Sequence, residues 1–219
     1  WKARNSTAHY LSFLPMNHVV EGILATYSPF YVPAPVNIYF LEDLKDVQRV
    51  LPRVRPTIFF SVPRIYEKIW EALERNPLGR RYLSLPSGPR KRALGALFRR
   101  QTLRKAGLDR CAQLMAGSAP CGEGLLRNFR ELGIEIHNAY GMSEAPLITL
   151  NRLGANRLGT VGEPLPQTEI RVAADGEVWV HGPQVMAGYF DEQAGRETAQ
   201  PFRDGWLLTG DLGHLSAEG

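Results

Sequence analysis

Through the first 150 residues, short β-branched and aromatic runs alternate with stretches whose apolar positions recur at helical spacing. That alternation predicts an α/β layer on a mainly parallel sheet. Asn37 to Leu41 and Thr57 to Ser61 read as strands. Between them Leu44, Val47, Val50 and Leu51 mark one helical face, which Pro52 should end or kink. Ile65, Ile69 and Leu73 recur every four residues after Pro63, so a helix starts there with proline in its first turn. Residues 84–90 form a turn-rich break, after which Leu94, Leu97 and Phe98 predict a basic amphipathic helix. Gln113 to Ala116 reads as a strand, and a helix through Leu125, Leu126 and Phe129 should stop near Gly133. Ile134 to His137 is the next expected strand.

After about residue 155 the texture changes to short alternating strands with glycine turns. Ala174-Asp175-Gly176, between Glu169 to Val172 and Glu177 to Val180, is a hairpin signal. The expected fold class is therefore α/β: a partial parallel-sheet α/β layer over residues 1–155, then a small β-barrel-like subdomain or distorted sheet over 156–219. Residues 22–41 are uncharged, but Pro29, Pro33 and Pro35 interrupt them and Thr26, Ser28 and Asn37 make them too polar for a membrane span. The first residues, Trp1 to Ser6, lack the apolar core and cleavage site of a signal peptide.

A chain of 219 residues that is 44% hydrophobic can bury a substantial core. Cys111 and Cys121 are the only cysteines, too few for a zinc site or a disulfide framework, so a reducing cytoplasmic setting is expected. The net charge of +4 is unevenly spread. Arg80, Arg81, Arg90, Lys91, Arg92, Arg99, Arg100, Arg104, Lys105 and Arg110 face only Asp109 between residues 79 and 110. Two readings stay open: a solvated helix face around a connector, or attraction to an anionic membrane surface or the phosphates of a ligand. Nucleic acid is not expected as a partner, because no binding motif or aromatic stacking string accompanies the charge.

Two strings carry chemistry. Asn138-Ala139-Tyr140-Gly141-Met142-Ser143-Glu144 puts an amide, an aromatic ring, a glycine, a hydroxyl and a carboxylate in one short stretch. Trp206-Leu207-Leu208-Thr209-Gly210-Asp211 ends an apolar run with a carboxylate on what reads as a tight Thr-Gly turn. A nucleoside triphosphate site needs a flat apolar face for the base, an acceptor pair for the ribose diol, and a hydroxyl and carboxylate at the phosphates and Mg²⁺. The first string should leave a strand at its C-terminal end, where open α/β sheets bind ligands.

Six segments in order resemble the acyl-adenylate-forming superfamily, and within it the long-chain acyl-CoA synthetases. They are Leu14 to Gly22 (LPMNHVVEG), Phe59 to Ile69 (FFSVPRIYEKI), Met115 to Pro120 (MAGSAP), NAYGMSE, Gly176 to Phe190 (GEVWVHGPQVMAGYF), and Asp204 to Asp211 (DGWLLTGD). The resemblance implies ATP-dependent activation of a fatty acid, with Mg²⁺ as cofactor and CoA as the acceptor substrate. The chemistry brings a carboxylate to the α-phosphorus of ATP, so the site must position two anions and offset their charge.

On that resemblance Tyr140 lies against adenine, Asn138 recognises its amino edge, and Ala139 and Gly141 complete the strand end beside the nucleotide, with Gly141 letting the backbone pass close to the ligand. Ser143 donates to the α-phosphate and Glu144 holds Mg²⁺. Asp211 accepts the ribose hydroxyls, and Gly117, Ser118 and Ala119 form a wall near adenine and the acyl carbonyl. His18 sits near the reacting carboxylate or thioester channel. Gly159 to Pro164 resembles the segment that lines the acyl pocket.

Taken one at a time these residues have plainer readings: half-buried packing for Tyr140, a helix start for Ser143-Glu144, a turn for Thr209 to Asp211, a core position for His18. His137, His181 and His214 have no spacing that points to a metal or a nucleophile's base. Ser143 stands where threonine is frequent in the family, a conservative departure. The family's phosphate loop with its lysine, the arginine after Thr-Gly-Asp and the C-terminal domain are missing from these residues. The chain is therefore expected to be part of a longer synthetase and inactive by itself. A fatty-acyl-AMP ligase loading a carrier protein stays open, as does a noncatalytic nucleotide-binding or lipid-surface module.

Overall fold

Strand β1 (Ala8–Ser12) pairs in parallel with β2 (Val36–Phe40) in the computed structural model, which describes residues 7–86, 88–191, 196–198 and 201–217. The six N-terminal residues, and Ser87 in the turn-rich break, lie outside the described residues. Between these strands lie α1 (Val19–Glu21) and then, opening the uncharged stretch, a wide turn over Gly22–Tyr27 and α2 (Ser28–Tyr31). The Ser28 N–H reaches five residues back to the Ile23 carbonyl, the spacing of a π-type turn. Among the described residues no helix is long and apolar enough to cross a membrane.

Glu21 fastens this region. It is fully buried and accepts hydrogen bonds from the Tyr10 hydroxyl (3.1 Å), the Phe13 N–H (3.1 Å) and the Leu14 N–H (2.9 Å). One carboxylate thus satisfies two loop donors that have left the β1 ladder. Burial, with the Glu21 charge beside it, pushes the Tyr10 hydroxyl well above the usual phenol range.

The central sheet has five strands: β3 (Ile58–Ser61), β4 (Gln113–Ala116), β5 (Ile136–Tyr140), β6 (Thr149–Leu150) and β7 (Glu163–Pro164), in that spatial order. The first three are parallel and the last two antiparallel. Helix α3 (Val47–Val54) leads into β3; α4 (Pro63–Arg75), α5 (Pro77–Leu83) and α6 (Pro89–Ala106) connect β3 to β4, and α7 (Glu123–Glu131) connects β4 to β5. Pro52 is accommodated inside α3, which runs two residues further before Arg55 turns left-handed at φ 50°. There the Arg55 guanidinium grips Asp109.

Two helices end in the same way. Gly133 turns left-handed, its N–H bonding Arg130 O while the Ile134 N–H reaches Phe129 O. Gly107 repeats the pattern with Arg104 and Leu103. Both are Schellman caps. The first explains why β5 begins at Ile136 rather than at the expected Ile134: Ile134 closes the cap, and Asn138 to Tyr140 become part of the strand.

The α4 stripe also differs in detail from Ile65, Ile69 and Leu73. Tyr66, Trp70 and Leu73 are the buried positions, with Ile65 and Ile69 flanking them. Aromatic volume decides this: Tyr66 meets Phe59 and Phe129 edge-on, and Trp70 tilts against Phe129 at 5.3 Å between ring centres. On α6 the expected apolar face holds at Phe98, stacked on Tyr82 at 4.4 Å, but Leu97 is 62% exposed and Leu94 37%. Gly95 and Thr102 are buried instead. A methyl group on Gly95 would approach the Tyr82 hydroxyl at 3.0 Å, so the small residue lets the ring in.

The β-rich part is an open antiparallel sheet, with no closed barrel among the described residues. It contains β8 (Glu169–Val172), β9 (Glu177–His181), β12 (Phe202–Arg203) and β13 (Trp206–Leu212), ordered β12-β13-β9-β8. Strands β10 (Tyr189–Asp191) and β11 (Arg196–Thr198) form a separate antiparallel pair. Ala145 and Ile148, in the connection after β5, pack with Val180 and Leu207 of this sheet. That cluster joins the two layers.

Replacing Glu21 by alanine strands the buried Phe13 N–H, the half-buried Leu14 N–H and the Tyr10 phenol. The expected loss is about 3 kcal/mol of unfolding free energy, read as a lower urea midpoint, with Glu21→Gln retaining most of it. A midpoint unchanged in Glu21→Ala would remove Glu21 from this role.

Candidate functional site

Parallel strands β3, β4 and β5 deliver their C-terminal ends side by side, and the chemically distinctive residues follow those ends. After β4, Gly117 is buried between neighbours: a Cβ there would lie 2.8 Å from the Phe60 ring and 3.0 Å from the Ala139 carbonyl. Ser118 follows with φ 62° and an exposed side chain, a backbone region that non-glycine residues seldom occupy outside constrained sites. Ala119 and Pro120 are exposed beside it. At the end of β3 the Ser61 hydroxyl is buried without a hydrogen-bond partner among the described residues.

Strand β5 carries Asn138, Ala139 and Tyr140 in its last three positions. Asn138 is nearly buried, and its amide donates to the Thr160 carbonyl at 3.3 Å, which leaves the side-chain oxygen as its unused face. Ala139 is buried and pairs with Leu150. At Gly141 a Cβ would sit 2.4 Å from Leu147 N, so the returning chain by itself requires glycine at this position. Ser143 is exposed and Glu144 half-buried in that return.

Two phenols reach the two carboxylates of interest. The Tyr140 hydroxyl donates to Asp211 Oδ2 at 2.6 Å, and the Tyr189 hydroxyl donates to Glu144 Oε1 at 2.6 Å. The Met186 N–H adds a third link, to the Glu144 backbone carbonyl at 2.8 Å. Residues 71 positions apart in the chain are thus brought into contact. Tyr189 lies within the GEVWVHGPQVMAGYF segment, but nothing in the sequence assigned it a partner. An aromatic with a hydroxyl at the end of a glycine-bounded run was the available signal.

Thr209-Gly210-Asp211 is not a turn. It lies within β13, where the pairing with β9 slips between Leu208 and Leu212. This is a β-bulge, the device that re-aims side chains beside sites. Thr209 Oγ1 donates to Val178 O at 2.7 Å and accepts the Asp211 N–H at 3.1 Å. The Gly210 N–H donates to Glu177 Oε1 at 2.9 Å. Glu177 is therefore a supporting residue for Asp211 that the motif alone did not single out. Asn151, buried, and Thr149 do the same for the 159–164 segment, bonding Thr160 O and Val161 O.

His18 precedes α1 as its N-cap. Its Nδ1 accepts the Val20 N–H at 3.2 Å, capping α1, and none of its hydrogen bonds among the described residues reaches the strand-end cluster. His137 is a core residue: Nδ1 lies 3.2 Å from Leu114 O, and burial depresses its basicity. A separate groove of about 250 Å³ opens between α3, α4 and α6, lined by Val47, Leu51, Ile69 and Phe98 among others. Asn138, Tyr140, Glu144 and Asp211 do not line it.

The half-buried ring of Tyr140 can present an apolar surface to a base. Glu144 Oε2 and Asp211 Oδ1 are the carboxylate oxygens not engaged by the two phenols. Among the described residues no group of three or more His, Cys, Asp or Glu side chains could by itself hold a metal. A single carboxylate fits a magnesium ion whose remaining ligands are phosphate oxygens and water.

Burial and the Asp211 carboxylate push the Tyr140 hydroxyl from 10.0 up to about 12. A raised phenol holds its proton, so its contribution to stability is complete below pH 10 and is lost as the pH rises through 12. The tyrosinate absorbance of the wild type minus that of Tyr140→Phe is expected to step near pH 12. A step near pH 10 would mean that the hydroxyl does not face Asp211.

Residues 1–190 match the family model of the AMP-binding enzymes. The chain is 33% identical over 232 residues to the long-chain-fatty-acid–CoA ligase FadD15 of Mycobacterium bovis, covering 95% of this chain and 38% of the ligase. It is 38% identical over 122 residues to the 2-succinylbenzoate–CoA ligase of Bacillus subtilis, covering 50% of this chain and 24% of that protein. Among solved structures, the o-succinylbenzoate CoA synthetase MenE of Bacillus subtilis in complex with ATP and magnesium ion superposes with TM-score 0.65 and 25% identity, over 97% of this chain and 40% of that one. Apo MatB from Rhodopseudomonas palustris shares the fold, with TM-score 0.68 over 97% of this chain and 39% of that one, at 24% identity. This chain thus spans about two fifths of the proteins it resembles along its whole length, and it belongs to the AMP-binding enzyme family.

Proposed function

We propose that the complete protein activates a long-chain fatty acid with ATP, forming acyl-AMP and pyrophosphate, and passes the acyl group to CoA. The observation that carries this reading is the convergence of Tyr140, Glu144 and Asp211 at the strand ends through two 2.6 Å phenol–carboxylate bonds. One aromatic face and two carboxylates suit a base, a ribose diol and a metal-bound phosphate. In this scheme Tyr140 packs on adenine and the Asn138 side-chain oxygen accepts from its amino edge. Asp211 accepts from the ribose hydroxyls, and Ser143 donates to the α-phosphate. Glu144 is the residue that would hold Mg²⁺, which when bound offsets charge on the phosphate oxygens. Gly117, Ser118 and Ala119 form the wall beside the base and the acyl carbonyl.

His18 is assigned to the acyl side, with its Nε2 as the ring nitrogen left by the α1 cap. The assignment of a fatty acid rests on the relative that is similar along nearly the whole chain, whereas similarity to the succinylbenzoate ligase covers half of it. Residues 1–155 serve as the α/β part of the adenylating domain and 156–219 as the β-rich part that supplies Asp211. A cytoplasmic enzyme with peripheral membrane contact through the basic 80–110 segment completes the reading.

Acid-dependent exchange of pyrophosphate into ATP by the complete protein tests it, with acetate, octanoate, palmitate and benzoate as the acids. Exchange is expected to be strongest with palmitate, and Glu144→Ala is expected to lower it about 100-fold while the protein stays folded. Exchange unaffected by Glu144→Ala would remove the magnesium assignment. Exchange with benzoate alone would replace the fatty acid by an aryl acid.

A further inference from the structure

Helix α6 has seven Arg or Lys among its 18 residues and no acidic residue. With Arg80 and Arg81 of α5, nine cations lie on this helical pair, and none forms an ion pair among the described residues. Lys91 and Arg99 donate only to the carbonyls of Leu83 and Gly133. At 100° per residue, Arg90, Ala93, Leu97, Arg100 and Arg104 fall within an arc of about 80°, opposite the inward-facing Gly95, Phe98 and Thr102. Like charges at four-residue spacing, such as Arg100 and Arg104, repel one another on a free helix. The arc therefore gains from a counter-anion.

Its apolar members narrow the choice of partner. Leu97 is 62% exposed and Leu94 37%, and Leu78 on the neighbouring α5 is 64% exposed. Leu78 and Leu94 also line a crevice with Tyr82 and Phe98, and Arg81 and Arg90 contribute to the same lining. Guanidinium groups beside an apolar slot match a phosphodiester attached to hydrocarbon. A nucleic-acid backbone would use the arginines and leave the leucines in water, and a solvated face would use neither. An anionic bilayer uses both: cations meet the lipid phosphates while leucines enter the acyl boundary.

We propose that the outward face of α5 and α6, centred on Leu97, Arg100 and Arg104, docks the protein on an anionic phospholipid bilayer with α6 lying in the surface plane. The helix is roughly 27 Å long, so the cations along it contact several headgroups at once. This deepens the peripheral-contact part of the proposed function by fixing the face, the side chains and the lipid charge. It is independent of the adenylation site, which lies at the strand ends and uses other residues.

The test is cosedimentation of the complete protein, without ATP or acid, with vesicles of phosphatidylcholine alone or mixed with phosphatidylglycerol. Binding is expected only to the mixed vesicles and should weaken as salt rises. Arg100→Gln with Arg104→Gln is expected to weaken it about thirtyfold. Leu97→Ser is expected to weaken it several-fold without changing the salt dependence, and pyrophosphate exchange measured without vesicles should be unchanged in both variants. Equal binding to neutral vesicles, no binding by the complete protein, or full displacement of vesicles with Leu97→Ser indistinguishable from wild type when duplex DNA is added would overturn the proposal. Failure of exchange with vesicle binding intact would count against acyl activation alone.

Discussion

Two phenol–carboxylate hydrogen bonds hold the end of the parallel sheet in place: Tyr140 to Asp211 ties it to the β-rich sheet, and Tyr189 to Glu144 ties the connection after β5 to the β10–β11 pair. Neither carboxylate could be positioned by its own strand. Glu144 lies in a return that has left β5, and Asp211 lies in a bulge of β13. A hydroxyl from another segment sets the direction of each. The packing of Ala145 and Ile148 against Val180 and Leu207 supplies the apolar contact that keeps water from loosening this arrangement. Geometry at the strand ends therefore depends on contacts between segments far apart in the chain.

The same dependence explains what the sequence revealed and what it did not. Local signals worked where local physics decides. Pro63 starts α4, Gly133 ends α7, and Ala174 to Gly176 turns between β8 and β9. Gln113 to Ala116 was legible as β4 with its own bounds because both flanks break the run. The start of β5 was misplaced because a Schellman cap consumes Ile134, and apolar periodicity cannot separate a cap contact from a strand position. Tyr66 and Trp70 displaced Ile65 and Ile69 from the centre of the α4 stripe because ring volume, not spacing alone, chooses the face.

For the site, residue types could be read from the two strings, but not their partners. Thr209-Gly210-Asp211 has the composition of a turn, and only its pairing with β9 makes it a bulge. Gly141 reads as a place where backbone passes close to something, and only the fold shows that Leu147 is one such neighbour. Tyr189 and Glu177 could not be picked out because their partners, the Glu144 carboxylate and the Gly210 N–H, lie more than 30 positions away. Glu21 is the reverse case: a carboxylate inside a motif whose visible work is structural, holding the chain between β1 and α1.

The most direct measurement is a nucleotide-bound crystal structure of the complete protein with ATP and magnesium. Adenine is expected against Tyr140, the ribose hydroxyls on Asp211 and the metal on Glu144. Nucleotide bound elsewhere, for example in the groove between α3, α4 and α6, with the Tyr140–Asp211 bond still intact, would contradict this placement.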